Sequence, residues 1–147
     1  MFYSQDEDSD DDARLFSWSS STNITDRNLT MMSYPVDKKF EGELRLTTSS
    51  GTTTFEQDFT FDEDEAVVYT MTYDSKEGVV RGYLNGLLIS TTTHKGDFAN
   101  WDDHKIRFGN ESGGDRSFEG VIYDVCIWNE ALDANAVGEE ADALLHP

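Results

Sequence analysis

A single cysteine, Cys126, and two prolines, Pro35 and Pro147, occur in 147 residues. One thiol excludes an internal disulfide and a cysteine-built zinc site. With so little proline, the chain has to turn on Gly, Asn, Asp and Ser. Basic residues are also scarce: 11 Lys plus Arg stand against 30 Asp plus Glu, a formal charge of −19. No basic cluster is longer than Lys38-Lys39. Nucleic acid is therefore excluded as a partner, because its phosphates must exchange counterions for Lys and Arg. Anionic membrane surfaces are excluded on the same ground. No apolar run nears the roughly 20 residues of a spanning helix, so no membrane insertion is expected. The opening residues, MFYSQDEDSDDDAR, lack the basic and apolar regions of a secretion signal. Nucleotide-cradling glycine loops and a G-x-S-x-G elbow are missing. His94, His104 and His146 are the only histidines and read as surface residues.

What the chain does contain is strand material. Nine Phe, six Tyr, three Trp and many Thr favour half-buried pleated strands over helices. Residues 1–12 include the like-charge block Asp6 to Asp12 and are expected to form a flexible acidic segment. Residues 13–147 have the size of one domain. Ala13 to Ser19 alternates as a strand, and Asn28 to Tyr34 reads as another, stopped by Pro35. In Glu43 to Thr48, Leu44 and Leu46 point one way and Glu43 and Arg45 the other. After a turn at Ser49-Ser50-Gly51, Phe55, Phe59 and Phe61 share a face of the next strand and are expected in the core. Ala66 to Tyr73, Lys105 to Phe108 and Gly120 to Trp128 complete the strand inventory around the hairpin described next. Cys126 is expected to be inert inside the last of these. Leu132 to Leu145 has helical character, with Asp133 as N-cap.

The strongest local signal is VVRGYLNGLLISTTT, Val79 to Thr93. Two apolar runs flank Asn85-Gly86, the pair that tolerates the positive φ angles of a type I′ turn. A two-residue loop sets Leu84 opposite Leu87, Tyr83 opposite Leu88, Gly82 opposite Ile89 and Arg81 opposite Ser90. Val80, Leu84, Leu87 and Ile89 then share a core face, while Arg81, Ser90 and Thr92 share the solvated or ligand-facing one. In all, nine short strands with one terminal helix predict an all-β antiparallel sandwich or barrel, since no helices are interposed for parallel crossovers.

In order, the segments TMTYD, VRGYLNGLLIST, IRFGNE and FEGVIYDVCIWNEAL resemble the laminin G-like, concanavalin A-like lectin/glucanase superfamily. The resemblance implies a jelly-roll sandwich of two curved antiparallel sheets with a short C-terminal helix. Such domains usually begin with a further strand. Its shortening here implies an exposed edge that a homo-oligomer or a neighbouring domain would cover. Glucanases of the superfamily carry acids at alternate positions of one strand. Asp62-Glu63-Asp64-Glu65 is contiguous and does not match, and Thr60 stands where a third acid would follow Glu56 and Asp58. A noncatalytic module is therefore expected.

Many members hold calcium, and Asp124 occupies the acidic position of the YDVCIW segment. It is the candidate metal ligand, with structural hydrogen bonding as the plainer role. For a carbohydrate, an aromatic ring beside hydroxyl-accepting carboxylates is the recognisable pattern. Trp101, Asp102 and Asp103 fit it best, with Arg81 on the open hairpin face; the plainer reading is that Trp101 plugs the sandwich end. The expectation is a noncatalytic extracellular binding module for carbohydrate or a protein partner, with possible calcium assistance. The alternatives are a structural assembly module and, third, a glucanase-like hydrolase.

Overall fold

The computed structural model describes residues 2–4, 13–19, 27–36, 39–62, 65–99, 101, 105–110, 117–118 and 120–147, with backbone alone at 2–4, 19, 27–28, 32–36, 39–45 and 53–62. The acidic block Asp6 to Asp12 lies outside them. Among the described residues, ten strands and one helix occur in the order β1 (Phe2–Ser4), β2 (Ala13–Ser19), β3 (Arg27–Val36), β4 (Lys39–Thr48), β5 (Gly51–Asp62), β6 (Tyr69–Asp74), β7 (Val79–Leu84), β8 (Leu87–Thr93), β9 (Lys105–Phe108), β10 (Gly120–Ile122) and α1 (Ala134–Leu145). They form a five-stranded sheet, β5-β4-β3-β2-β9, a three-stranded sheet, β6-β7-β8, and the pair β1-β10. Every pairing is antiparallel.

Between the two larger sheets lie two joined apolar clusters. One is built on Leu15 and Val67, the other on Leu46 and Val80, and Met31 and Tyr69 pack against both. Leu46 lies opposite Leu29, in agreement with the alternation of its strand. Strand β3 runs through Pro35, which pairs with Phe40, so proline does not stop it. The reason is positional: pairing with β2 ends at Ser33, so Pro35 has a neighbour on one side only. A missing N–H is tolerated there. In the β4–β5 hairpin, Phe55 lies opposite Leu44 and Phe61 opposite Phe40; a shift after Glu41 leaves Phe59 out of the ladder.

The β7–β8 hairpin turns as its sequence requires, with φ +49 at Asn85 and +80 at Gly86. Leu84 faces Leu87 and Tyr83 faces Leu88, but a bulge at Ile89 then sets Ser90 opposite Gly82 and Thr91 opposite Arg81. The extra residue displaces the expected partners by one. The expected core face also divides. Val80 is buried, whereas Leu87 is 72% and Ile89 38% exposed, because β8 is the outer strand of its sheet.

Asn85 binds the rest of the fold as well as turning the chain. Its N–H donates to the Val68 carbonyl, and its Oδ1 accepts the Val68 N–H, both at 2.8 Å. Helix α1 starts at Asp133, whose carboxylate accepts the N–H groups of Asn135 and Ala136 at 2.9 Å each. The helix buries Val137 and Ala141 and docks on the hairpin turn. A Cβ at Gly86 would stand 3.0 Å from the Gly138 Cα, so small residues are needed where they meet. Beyond Ile122 the expected last strand does not continue: Tyr123 to Trp128 are exposed and lie outside any strand.

Replacing Asn85 with Ala removes the Oδ1 acceptor of the Val68 N–H and the residue best suited to the positive φ, and keeps only the backbone bond to the Val68 carbonyl. Urea unfolding should show a loss of about 1–3 kcal/mol. A change within a few tenths would mean that the turn does not hold the 65–68 segment.

Candidate functional site

The loop from His94 to Trp101 closes one end of the sandwich, and its sequence allows it to bridge the two sheets. On the side of the smaller sheet, the His94 N–H donates to the Gly78 carbonyl at 2.9 Å. The Tyr73 hydroxyl is in hydrogen-bond reach of the carbonyls of Gly96 and His94. On the side of the larger sheet, Ser49 N–H donates to the Asp97 carbonyl at 2.9 Å, and Asp97 N–H donates to Ser49 Oγ at 3.0 Å. Buried Thr48 donates its one hydroxyl hydrogen to the Lys95 carbonyl at 2.9 Å. It therefore accepts from His94 Nε2 at 2.8 Å, which sets the Nε2–H tautomer. Ser50 Oγ also bonds the Lys95 carbonyl. Gly96, at φ +114, lies so close to Thr48 and Ser50 that a Cβ would stand 2.9 Å from the Ser50 nitrogen.

Aromatic rings sit on this clamp. Trp101 stacks edgewise on Trp18 at 4.7 Å and packs on Phe98 at 4.3 Å; Phe98 in turn meets Tyr73 at 5.3 Å. The Trp101 indole N–H donates to the Thr47 carbonyl at 2.7 Å, so its polar edge is already engaged. Phe98 is 42% exposed while packing on both Trp101 and Tyr73. Behind the rings, a cavity of about 920 Å³ runs between the sheets, walled by Trp18, Leu29, Met31, Tyr73 and Trp101 among others.

Two carboxylates flank the rings. Asp97 is held below the usual carboxylate range, first by the Ala99 N–H and then by Ser49. Asp74 is held low by the N–H groups of Glu77 and Lys76. Burial, and then the charges of Asp97 and Asp74, raise the Tyr73 phenol above its ordinary value. An exposed ring on a braced loop, with ionised acceptors beside it, can stack an apolar sugar face and accept its hydroxyl hydrogens.

The expected site residues are distributed unevenly. Trp101 is in the cluster, as a packed ring under Phe98. Asp102 and Asp103 lie outside the described residues. Arg81 is on the face of β7 opposite to Val80, which packs in the same cluster as Trp101, and it bonds Glu77 at 3.0 Å. Asp124 lies two residues past the end of β10, exposed, and is not mid-strand. Cys126 is likewise exposed and outside any strand. Among the described residues no three His, Cys, Asp or Glu side chains gather as a metal cage. Phe98, Asp97 and Tyr73 were not expected at the site. The spacing of Phe98 three residues before Trp101, after a glycine, was the available sign.

With this geometry the known relatives can be compared. A family model described as the concanavalin A-like lectin/glucanases superfamily matches residues 2–138. The chain belongs to that superfamily, and its two-sheet sandwich is a jelly roll. A heptameric SAP-like pentraxin from Limulus polyphemus is similar in structure, with a TM-score of 0.64 at 18% identity over 89% of this chain and 63% of that one. The chain thus spans less than two-thirds of the pentraxin's length. An S-layer domain-containing protein from Clostridium thermocellum aligns at a TM-score of 0.45 and 17% identity over 95% of this chain and 67% of that one. No curated protein matches at a significant level. No helix among the described residues is long and apolar enough to cross a membrane.

Two outcomes test the clamp. Gly96→Ala should destabilise the domain by about 1–3 kcal/mol and alter the tryptophan fluorescence of the ring cluster; an unchanged unfolding midpoint would refute the close approach. Burial holds the His94 imidazole below its ordinary 6.5. The unfolded chain therefore takes up a proton before the folded one does, so stability is full above that pH and falls as the pH drops below it, levelling once the folded imidazole is also protonated. Thermal unfolding between about pH 7.5 and pH 5 should show a steeper loss for the unmodified chain than for His94→Gln. Equal slopes would contradict this.

Proposed function

We propose, on the footing of a concanavalin A-like domain, that this chain is a noncatalytic binding module displayed outside the cell. Its ligand is carbohydrate, taken at the loop end by Phe98 with Trp101 behind it. The observation that supports this is the exposed Phe98 ring, braced by Trp101 and Tyr73 and adjacent to the Asp97 carboxylate. Asp97 and Asp74 also argue against hydrolysis. A glycosidase acid needs a carboxyl whose pKa is raised so that it keeps a proton, and both of these are lowered. As acceptors for sugar hydroxyls, however, carboxylates held in the ionised form are well suited.

A second reading rests on a different surface. Leu87, Leu88 and Ile89 are consecutive and exposed on outer strand β8. Such a patch suits packing against another domain or a second copy, and would make the chain a structural assembly module.

A glycan array, run with calcium and with chelator, should show a set of bound glycans. Phe98→Ala should weaken that binding at least about tenfold, in line with the loss of one stacked ring, and Arg81→Ala should leave it unchanged. No signal under either condition would remove the carbohydrate reading. Light scattering over a concentration series decides the second: association that Leu88→Asp abolishes supports assembly, and a monomer throughout counts against it.

A further inference from the structure

We propose that Asn85-Gly86 is a self-modification site, at which water hydrolyses the side-chain amide of Asn85 to a carboxylate, and that docking of helix α1 keeps it from reacting.

Asn85 is the only asparagine in the chain that is followed by glycine. In such a pair the glycine nitrogen, once it gives its proton to solvent base, can attack the asparagine Cγ, because no Cβ shields it. The new C–N bond closes a cyclic imide, and the bond to Nδ2 breaks as ammonia leaves. Water then opens the ring at one of its carbonyls, restoring the N–H and leaving aspartate or isoaspartate. The net change is amide plus water to carboxylate plus ammonium, with nothing oxidised or reduced.

The folded turn prevents the first step. A type I′ turn holds ψ at about +30° at its first central residue, and the φ values of +49 at Asn85 and +80 at Gly86 belong to that turn. With ψ in that range the Gly86 nitrogen lies on the far side of the Cα–C bond from Cβ, whereas ring closure needs both on the same side. Asn85 must therefore leave the turn conformation to react. Its Oδ1 is tied to the N–H of buried Val68 and its own N–H to the Val68 carbonyl, both at 2.8 Å. Over the tip, α1 covers Gly86 so closely that a Cβ there would stand 3.0 Å from the Gly138 Cα and 3.2 Å from the Ala141 Cβ. Rotating the peptide between residues 85 and 86 requires the helix to move off.

Helix α1 is built to come away before the sandwich opens. Only Val137 and Ala141 of its 12 residues are buried. No basic residue stands in its last turn to meet the helix dipole. Gly138 weakens its interior, and nothing lies within 4 Å of the Cβ that an alanine would add there. An element with so little buried surface opens locally, at a free energy well below that of global unfolding. Each opening exposes the Asn-Gly pair, and the reaction does not reverse. In isoaspartate the main chain runs through Cβ, which adds a carbon to the turn on which Gly138 and Ala141 fit. The modification is thus a one-way record of helix release. This inference does not depend on the carbohydrate reading.

Peptide mapping by mass spectrometry, after incubation of the full chain at mildly alkaline pH, is the test. Asn85 should be converted at least about tenfold more slowly in the folded chain than in the same chain unfolded in urea, because the reaction waits for an opening. Ala141→Asp should raise the folded rate towards the unfolded one, while hydrogen exchange shows β2 and β3 still protected. Gly138→Ala, which strengthens the helix in open space, should lower it. No conversion in the unfolded chain would overturn the site itself. Conversion of the folded chain at the unfolded rate would overturn the protection, and so would a folded Ala141→Asp variant with an unchanged rate. Where Ala141→Asp unfolds the sandwich, Gly138→Ala decides, and an unchanged or faster rate would overturn the role given to α1.

Discussion

The clamp of the His94 to Trp101 loop on the β4–β5 turn is the contact on which the two-sheet arrangement turns. Sheets facing one another across a sandwich share side-chain packing but no ladder, so something must set their relative position at the ends. Here Thr48 and Ser49, from the larger sheet, bond His94, Lys95 and Asp97, while Tyr73, from the smaller sheet, reaches the carbonyls of His94 and Gly96 from the other side. Hydrogen bonds of this kind are directional, so they specify one geometry where apolar contact alone would allow sliding. Gly96 makes it possible by having no side chain where the two turns meet.

The same clamp shapes the candidate binding surface. Loops usually lie over a domain with freedom to move, but this one is tied to both sheets, so Phe98 is presented on a rigid support. Little conformational entropy is then lost when a ligand stacks on it. At the opposite end of the hairpin, Asn85 and α1 perform a comparable task. Two bonds to Val68 and a close glycine contact join the turn, the 65–68 segment and the helix.

The large negative charge takes on a more specific meaning beside these contacts. Most acidic groups contribute to solubility and self-repulsion. Asp74, Asp97 and Asp133 instead accept backbone N–H groups, ordering the β6–β7 turn, the clamp loop and the helix start. A chain with few prolines uses aspartate as its local organiser, and the low pKa of Asp74 and Asp97 follows from that role.

Much of this was legible in the residues. Ala13 to Ser19, the Asn85-Gly86 turn, Lys105 to Phe108 and the Asp133 cap all follow from local chemistry: alternation, tolerance of positive φ, and a side chain able to accept helix N–H groups. The order of segments from TMTYD to NEAL was enough for the superfamily. What required the tertiary structure depends on neighbours distant in sequence. No local signal reveals that a bulge at Ile89 shifts the hairpin, or that Leu87 has nothing above it, since both depend on which strand ends the sheet. Pro35 stays in β3 because β2 stops short of it. Trp101 could be recognised as a notable aromatic, but the engagement of its N–H by Thr47 and the exposure of Phe98 in front of it were set by a contact between residues about fifty positions apart in the chain. Local sequence determines the strands and turns, because their energies are set within a few residues; the site is decided by packing, because its parts meet only when the two sheets do.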